Sequence, residues 1–127
     1  MKRSMLLLLP IALFAFIACE NHTNHKSVAD WSGTYAGEVP GANSAIRVEI
    51  TLNSDETYKA VNQYMDKGGE IFESVGSFRW QNASVIILDG AEFPPYYKVG
   101  KNSLTQLDMQ GEPISGKLTD QYVLKKK

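Results

Sequence analysis

From Asp30 onward the chain alternates apolar and polar residues almost without interruption. The cleanest stretch is "AIRVEITLN": Ile46, Val48, Ile50 and Leu52 fall on one face, Arg47, Glu49 and Thr51 on the other. A period of two with one polar face predicts a half-buried antiparallel strand. "NSDE" breaks the alternation with turn-forming residues, and "TYKAVNQYM" resumes it, with Tyr58, Ala60 and Tyr64 opposite Lys59 and Gln63. "DKGGE" then supplies two glycines, the residue type that adopts positive φ without steric cost.

Shorter segments repeat the pattern. "IFESVGSFRW" predicts a strand with a bend at Gly76, and "VIIL" a short buried one. Pro94 and Pro95 cannot donate to a ladder, so they delimit the strand at "YYKVG". "SLTQLD" and "LTDQYVLKK" follow, and "WSGTYAGEV" stands in front with Gly33 and Gly37 inside it. About eight strands spaced by roughly 8–12 residues, with no convincing amphipathic helix, predict an all-β fold. Sequential pairing favours a small up-and-down antiparallel β-barrel, lipocalin-like in size. Expected interior positions include Ile46, Ile50, Tyr58, Phe72, Phe78, Ile87, Tyr97, Leu107 and Leu124. Alternation also sends one of Tyr96 and Tyr97 inward and the other out.

Before Asp30 the pattern is different in kind. Lys2 and Arg3 precede an apolar run from Met5 to Ile17, which as a helix rises only about 20 Å against a bilayer core of about 30 Å. A basic start, a short apolar centre and a small residue at its end predict a secretory signal peptide over residues 1–18. Phe16-Ile17-Ala18-Cys19 resembles a bacterial lipobox, with Phe16 where leucine is usual. The resemblance implies cleavage before Cys19 and lipidation of its thiol. Several acyl chains on one residue anchor a protein far more firmly than one. The competing reading is an ordinary secreted protein with an incidental cysteine. Glu20 is not the aspartate that retains enterobacterial lipoproteins in the inner membrane, so by resemblance the outer membrane is expected. Residues 19–29 read as the lipidated cysteine and a polar tether, leaving 30–127 as one barrel domain.

Charge removes one class of function. Thirteen Lys and Arg stand against 14 Asp and Glu, and two of the basic residues lie in the signal peptide. Nucleic-acid binding needs a concentrated basic surface and is not expected. Lys125-Lys126-Lys127 reads as a solubilising tail, with headgroup contact as the alternative. His22 and His25 lie in the tether, so no histidine in the domain activates a serine, and two imidazoles without a third ligand hold metal weakly. Met65 and Met109 read as gap-fillers rather than soft metal ligands, and Glu49 is expected to pair across strands with Lys59. Neither a catalytic residue nor a cofactor is expected.

Trp31-x-Gly33-x-Tyr35-x-Gly37, followed by Pro40, Ile46, "TLNSDETY", Gly76-Ser77-Phe78, "LTQLDMQGEPISGKL" and Tyr122-x-Leu124, resembles the NlpE amino-terminal-domain family. These are envelope lipoproteins linked to copper resistance and surface sensing, built on a small lipocalin-like barrel. Members commonly carry Cys-x-x-Cys after the proline; here Gly41 and Ser44 occupy those places. Without thiols there is no soft ligand pair and no disulfide, so a copper or redox role at that loop is not inherited. Longer members add a carboxy-terminal domain, and signalling that needs it is not expected of this chain. The implied function is a non-enzymatic binding or sensing module for envelope stress or copper response, held to the membrane by lipid and meeting an unidentified envelope protein. The alternative is a carrier of a small apolar ligand inside the barrel.

Overall fold

The computed structural model describes residues 27–66, 68–91, 95–116 and 119–127. Eight antiparallel strands close into an up-and-down barrel in simple sequence order: β1 (Gly33–Val39), β2 (Ile46–Leu52), β3 (Thr57–Tyr64), β4 (Glu70–Trp80), β5 (Val85–Leu88), β6 (Tyr96–Gly100), β7 (Ser103–Gln106) and β8 (Val123–Lys126). One helical turn, α1 (Val28–Trp31), precedes β1, and a 3-10 turn over Thr119–Tyr122 leads into β8. The all-β up-and-down barrel expected from the alternation is therefore the fold.

Turn chemistry sets the registers. Between β2 and β3 the Asp55 carboxylate accepts from the Thr57 backbone N–H at 3.1 Å and its hydroxyl at 2.6 Å, and these bonds hold its pKa below the usual carboxylate value. Gly68 and Gly69 turn β3 into β4 at φ 67° and 80°. Between β4 and β5, Asn82 accepts from the N–H groups of Ser84 and Val85. Closure rests on a short seam, where Tyr35 faces Lys126 and Ala36 faces Lys125. Just beyond it β1 must approach β8 closely: a Cβ on Gly37 would lie 3.1 Å from Leu124 Cδ2 and 3.2 Å from the Val123 carbonyl oxygen. Glycine suits this approach through space rather than through φ, since any larger residue would need Leu124 and the Val123 carbonyl to give by a few tenths of an ångström.

The interior is filled. Tyr35, Val48, Ile50, Leu52, Tyr58, Ala60, Phe78, Ile86, Leu88, Tyr97, Val99, Leu104 and Leu124 form one buried cluster. Of the expected interior residues, Ile50, Tyr58, Phe78, Tyr97 and Leu124 are in it, Ile46 packs on its edge, and Leu107 is buried outside it.

Two expectations fail. Phe72 is 41% exposed. It has the right parity, facing Asn62 of β3 in register, but β4 pairs with β5 only over Phe78–Trp80. No described strand closes the wall beside Phe72, and its ring packs edge-on against Tyr64 at 5.4 Å instead. In β5 the interior residues are Ile86 and Leu88; Ile87 is buried but lies outside the core cluster. All four residues of that strand are apolar, so nothing in the run fixes which face is inward.

Candidate functional site: a cleft at one end of the barrel

The two barrel ends are built differently. At the end where β1 begins, α1 lies across the opening. Trp31 is buried and meets Phe78 edge-on at 5.5 Å and Trp80 at 6.1 Å. The Tyr35 hydroxyl donates to the Trp31 carbonyl oxygen at 2.7 Å. Lys126 Nζ donates to the carbonyl oxygens of Asp30 (3.2 Å) and Ala29 (3.4 Å), meeting the acceptors a helix leaves at its C-terminal end. This end is plugged.

The opposite end carries the β1–β2 loop, the β3–β4 turn and the long β7–β8 connection. A cleft of about 240 Å3 opens there, lined by Val39 and Pro40 of the first strand and its loop, Ile46 and Val48 of β2, Asn62 and Tyr64 of β3, and Gln106 of β7. Asn62 is 4% exposed and is the buried polar residue of the described barrel. Its side-chain oxygen has no hydrogen-bond partner. It occupies the inward row of β3 with Tyr58 and Ala60, opposite Val48 on β2. Met65, Ile71 and Phe72, exposed around the β3–β4 turn, add apolar surface at this end.

The positions singled out in sequence divide sharply. Gly41 and Ser44 both lie in the β1–β2 loop at the cleft end, and they are in tight mutual contact: a Cβ on Gly41 would overlap the Ser44 carbonyl oxygen and lie 3.0 Å from Ile46. Ser44 Oγ makes only a 3.4 Å bond to the neighbouring Ala45 carbonyl. Cys19, His22 and His25 lie outside the described residues, as do the signal peptide, most of the tether and Pro94. Among the described residues no group of three His, Cys, Asp or Glu side chains could hold a metal ion.

Other expectations are corrected. Met65 and Met109 are not gap-fillers in the core but 41% and 60% exposed. Glu49 does not pair with Lys59: Glu49 faces Val61 in register, Lys127 reaches it at 2.7 Å, and Lys59 sits 3.8 Å from Glu73. The terminal lysines are therefore no free tail; Lys125 and Lys126 are in β8, the Lys126 ammonium bonds α1, and the Lys127 ammonium bonds Glu49 of β2. Tyr97 points inward and Tyr96 is half-buried, as alternation requires.

Burial pushes the Tyr97 phenol well above its ordinary pKa, with Tyr58 nearby adding to the shift, so it stays neutral. Its hydroxyl has no partner either, but Tyr97 does not line the cleft. Tyr58 is also raised, by burial and then by the Asp89 carboxylate, and it donates to the Asp89 backbone oxygen at 2.8 Å. Sequence reasoning passed over Asn62 and Gln106, although Asn62 shares the parity of Tyr58 and Ala60, and that was the signal available.

An antiparallel β-barrel, plugged at one end and clefted at the other, is the class these features define. The NlpE N-terminal domain family matches residues 35–117, and the chain belongs to that family. Among solved structures, a protein of Shewanella oneidensis provisionally described as a lipoprotein is similar over 77% of this chain and 90% of its own, at 38% identity and a TM-score of 0.70. The Cpx pathway activator NlpE from Escherichia coli is similar in fold over 68% of this chain and 47% of its own, at 24% identity and a TM-score of 0.56. This chain thus spans about half the length of that activator. No match is found among curated proteins.

Proposed function

We propose that this chain is a lipid-anchored envelope lipoprotein whose barrel acts as a non-enzymatic binding or sensing module. The observation that carries this is the family match over residues 35–117, joined to Phe16-Ile17-Ala18-Cys19 at the end of a signal-peptide pattern. The similarity to the Shewanella oneidensis protein supports the lipoprotein reading. In this reading Cys19 carries the lipid, the following polar residues are the tether, and the clefted end with its apolar rim meets what the module detects. The setting is envelope stress. Gly41 and Ser44 stand where the family's thiols would be, so the signal is not taken up as copper at that loop.

Metabolic labelling with an alkyne fatty acid tests the anchor. Label is expected on the wild-type chain and absent from Cys19→Ala; equal labelling of the two would sink it. Density-gradient fractionation tests the membrane: the wild type is expected in the outer-membrane fraction, and Glu20→Asp in the inner. A wild type that fractionates with the inner membrane overturns that part.

A further inference from the structure

We propose that the open edge of β4, from Ile71 to Val75, takes an extended segment of a partner protein as an added antiparallel strand, and that this segment carries Lys or Arg between two apolar residues, opposite Glu73. This rests on the reading of the barrel as a binding module and names the chemistry of what it binds.

β4 pairs with β3 from Glu70 to Ser77, but with β5 only from Phe78 to Trp80. Two bonds fix which way its backbone groups point. The Phe78 N–H donates to the Glu56 carbonyl oxygen, on the β3 side, and the Ser77 carbonyl oxygen accepts from the Asp89 N–H, on the β5 side. Antiparallel pairing alternates this direction residue by residue. The N–H and C=O groups of Ile71, Glu73 and Val75 therefore point away from β3, and no hydrogen bond from another described residue meets them. Such a row of six unpaired groups is the template to which an extended chain adds. The side chains agree. Ile71 and Val75 are 57% and 71% exposed, and with Phe72 and Met65 of the adjoining turn they are four of the six exposed large hydrophobic residues described. Free edges are usually blunted by lysine, proline or a bulge, whereas this one is rich in apolar residues.

The edge also sets the partner's side chains. Phe72 and Ser74 face the inward row of β3, so Ile71, Glu73 and Val75 share the outer face. A five-residue antiparallel segment that bonds all six groups places its first, third and fifth side chains opposite Val75, Glu73 and Ile71. The first and fifth meet aliphatic surface, and the third meets a carboxylate. Glu73 lies 3.8 Å from Lys59, but both side chains are more than half exposed, a weak pair that leaves the carboxylate open to a second cation. A Lys or Arg opposite Glu73 gains by this, and an acidic residue is repelled. The same rule argues against a second copy of this chain. In the antiparallel register that meets all six groups, the two Glu73 carboxylates would face each other, like charge on like. An added strand also covers Phe72, whose ring otherwise packs only edge-on against Tyr64 among the aromatic rings described.

Three peptides test this: acetyl-TVTKTVT-amide, its counterpart with glutamate in place of the lysine, and the first peptide N-methylated at the lysine nitrogen. Each is titrated into the detergent-solubilised full chain, with backbone amide shifts and hydrogen exchange followed in β3 and β4. The lysine peptide is expected to slow exchange at Ile71, Glu73 and Val75, and to bind at least fivefold more tightly than either of the others. Glu73→Lys is expected to reverse the preference between the lysine and glutamate peptides. Val75→Pro removes an N–H that points away from β3 and spares that ladder, and it is expected to weaken binding at least fivefold; Glu73→Lys serves if this variant does not fold. Equal affinity for the lysine and glutamate peptides, undiminished binding of the N-methylated one, a preference unchanged in Glu73→Lys, or absence of binding by the wild type would each overturn the proposal. So would protection of the three amides without peptide that rises with protein concentration, which would assign the edge to a second copy. Any of these results leaves the lipid anchor at Cys19 standing, since fatty-acid labelling reads it separately.

Discussion

The hydroxyl of Tyr35 donates to the carbonyl oxygen of Trp31 at 2.7 Å, so the first strand of the barrel holds the helical turn that plugs it. The bond joins a fully buried strand residue to a buried lid residue four positions earlier. Lys126 closes the same corner from β8, its ammonium 5.9 Å from the centre of the Tyr35 ring and bonded to the last carbonyls of α1. Strands at both sides of the seam thus hold one cap.

Removing the Trp31 indole deletes the edge-on contacts with Phe78 and Trp80. Trp31→Ala is expected to destabilise the chain by about 3–5 kcal/mol. Tyr35→Phe keeps the ring and strands only the Trp31 carbonyl, so about 1–2 kcal/mol is expected. Urea midpoints at constant m-value check both. A Trp31→Ala midpoint within error of the wild type would mean that α1 is not part of the folded barrel.

Tyr58 and Tyr97 give opposite results for the same change. Tyr58 donates to the Asp89 carbonyl oxygen, and Tyr58→Phe leaves that acceptor unmet, at about 1–2 kcal/mol. The Tyr97 hydroxyl has no partner, and Tyr97→Phe removes a buried group that was already unsatisfied. Tyr97→Phe is therefore expected to be neutral or to stabilise by about 1 kcal/mol. Thermal melts of the two variants beside wild type decide it, and equal destabilisation by both would contradict the assignment of partners.

Alkaline pH acts on the same tyrosines. Burial raises the phenol pKa of Tyr35, Tyr58 and Tyr97 in the folded state. A raised folded value means that these groups contribute no pH dependence well below the unfolded-chain pKa of about 10. Above it the unfolded chain loses those protons and the folded one retains them, so stability falls as pH rises further. Chemical denaturation from pH 8 to 11 is expected to show a flat region followed by a decline, and Tyr97→Phe is expected to shallow the decline. A variant with an unchanged slope would show that Tyr97 ionises in the folded barrel.

The barrel was legible because its strands carry one polar face, and period two survives translation into structure. β2 illustrates this: its alternation names all four inward residues, three of them fully buried and Ile46 at the cleft edge. Where alternation is absent the reading fails, as in β5, whose apolar run has no polar residue to set its phase. Phe72 shows a different limit. Parity gives the face of a residue but not whether a neighbouring strand is present to cover it. The plug was not legible either, because α1 is one turn long and is held by Tyr35 and Lys126 rather than by its own pattern. Asn62 was legible in parity alone; that its oxygen is buried without a partner depends on the residues packed around it, which parity does not name.

Gly41 and Ser44 allow the lost thiol pair to be rebuilt, and the geometry sets the result. At Ser44 a cysteine replaces a hydroxyl that makes only one long bond, so Ser44→Cys is expected to change stability by less than about 0.5 kcal/mol. At Gly41 any Cβ meets the Ser44 carbonyl oxygen and the Ile46 side chain, and the loop backbone must move. Gly41→Cys is expected to cost about 1–3 kcal/mol, the range for forcing atoms into a filled site. With both cysteines reduced, the double variant gains two soft ligands three residues apart, which suit Cu(I). A metal that binds the folded loop and not the unfolded chain raises the melting temperature by mass action. The wild-type melting temperature is expected not to respond to Cu(I), whereas the double variant starts lower and recovers as Cu(I) is added. A wild type that shifts as far as the double variant would place a copper site elsewhere in the chain and remove Gly41 and Ser44 from the account.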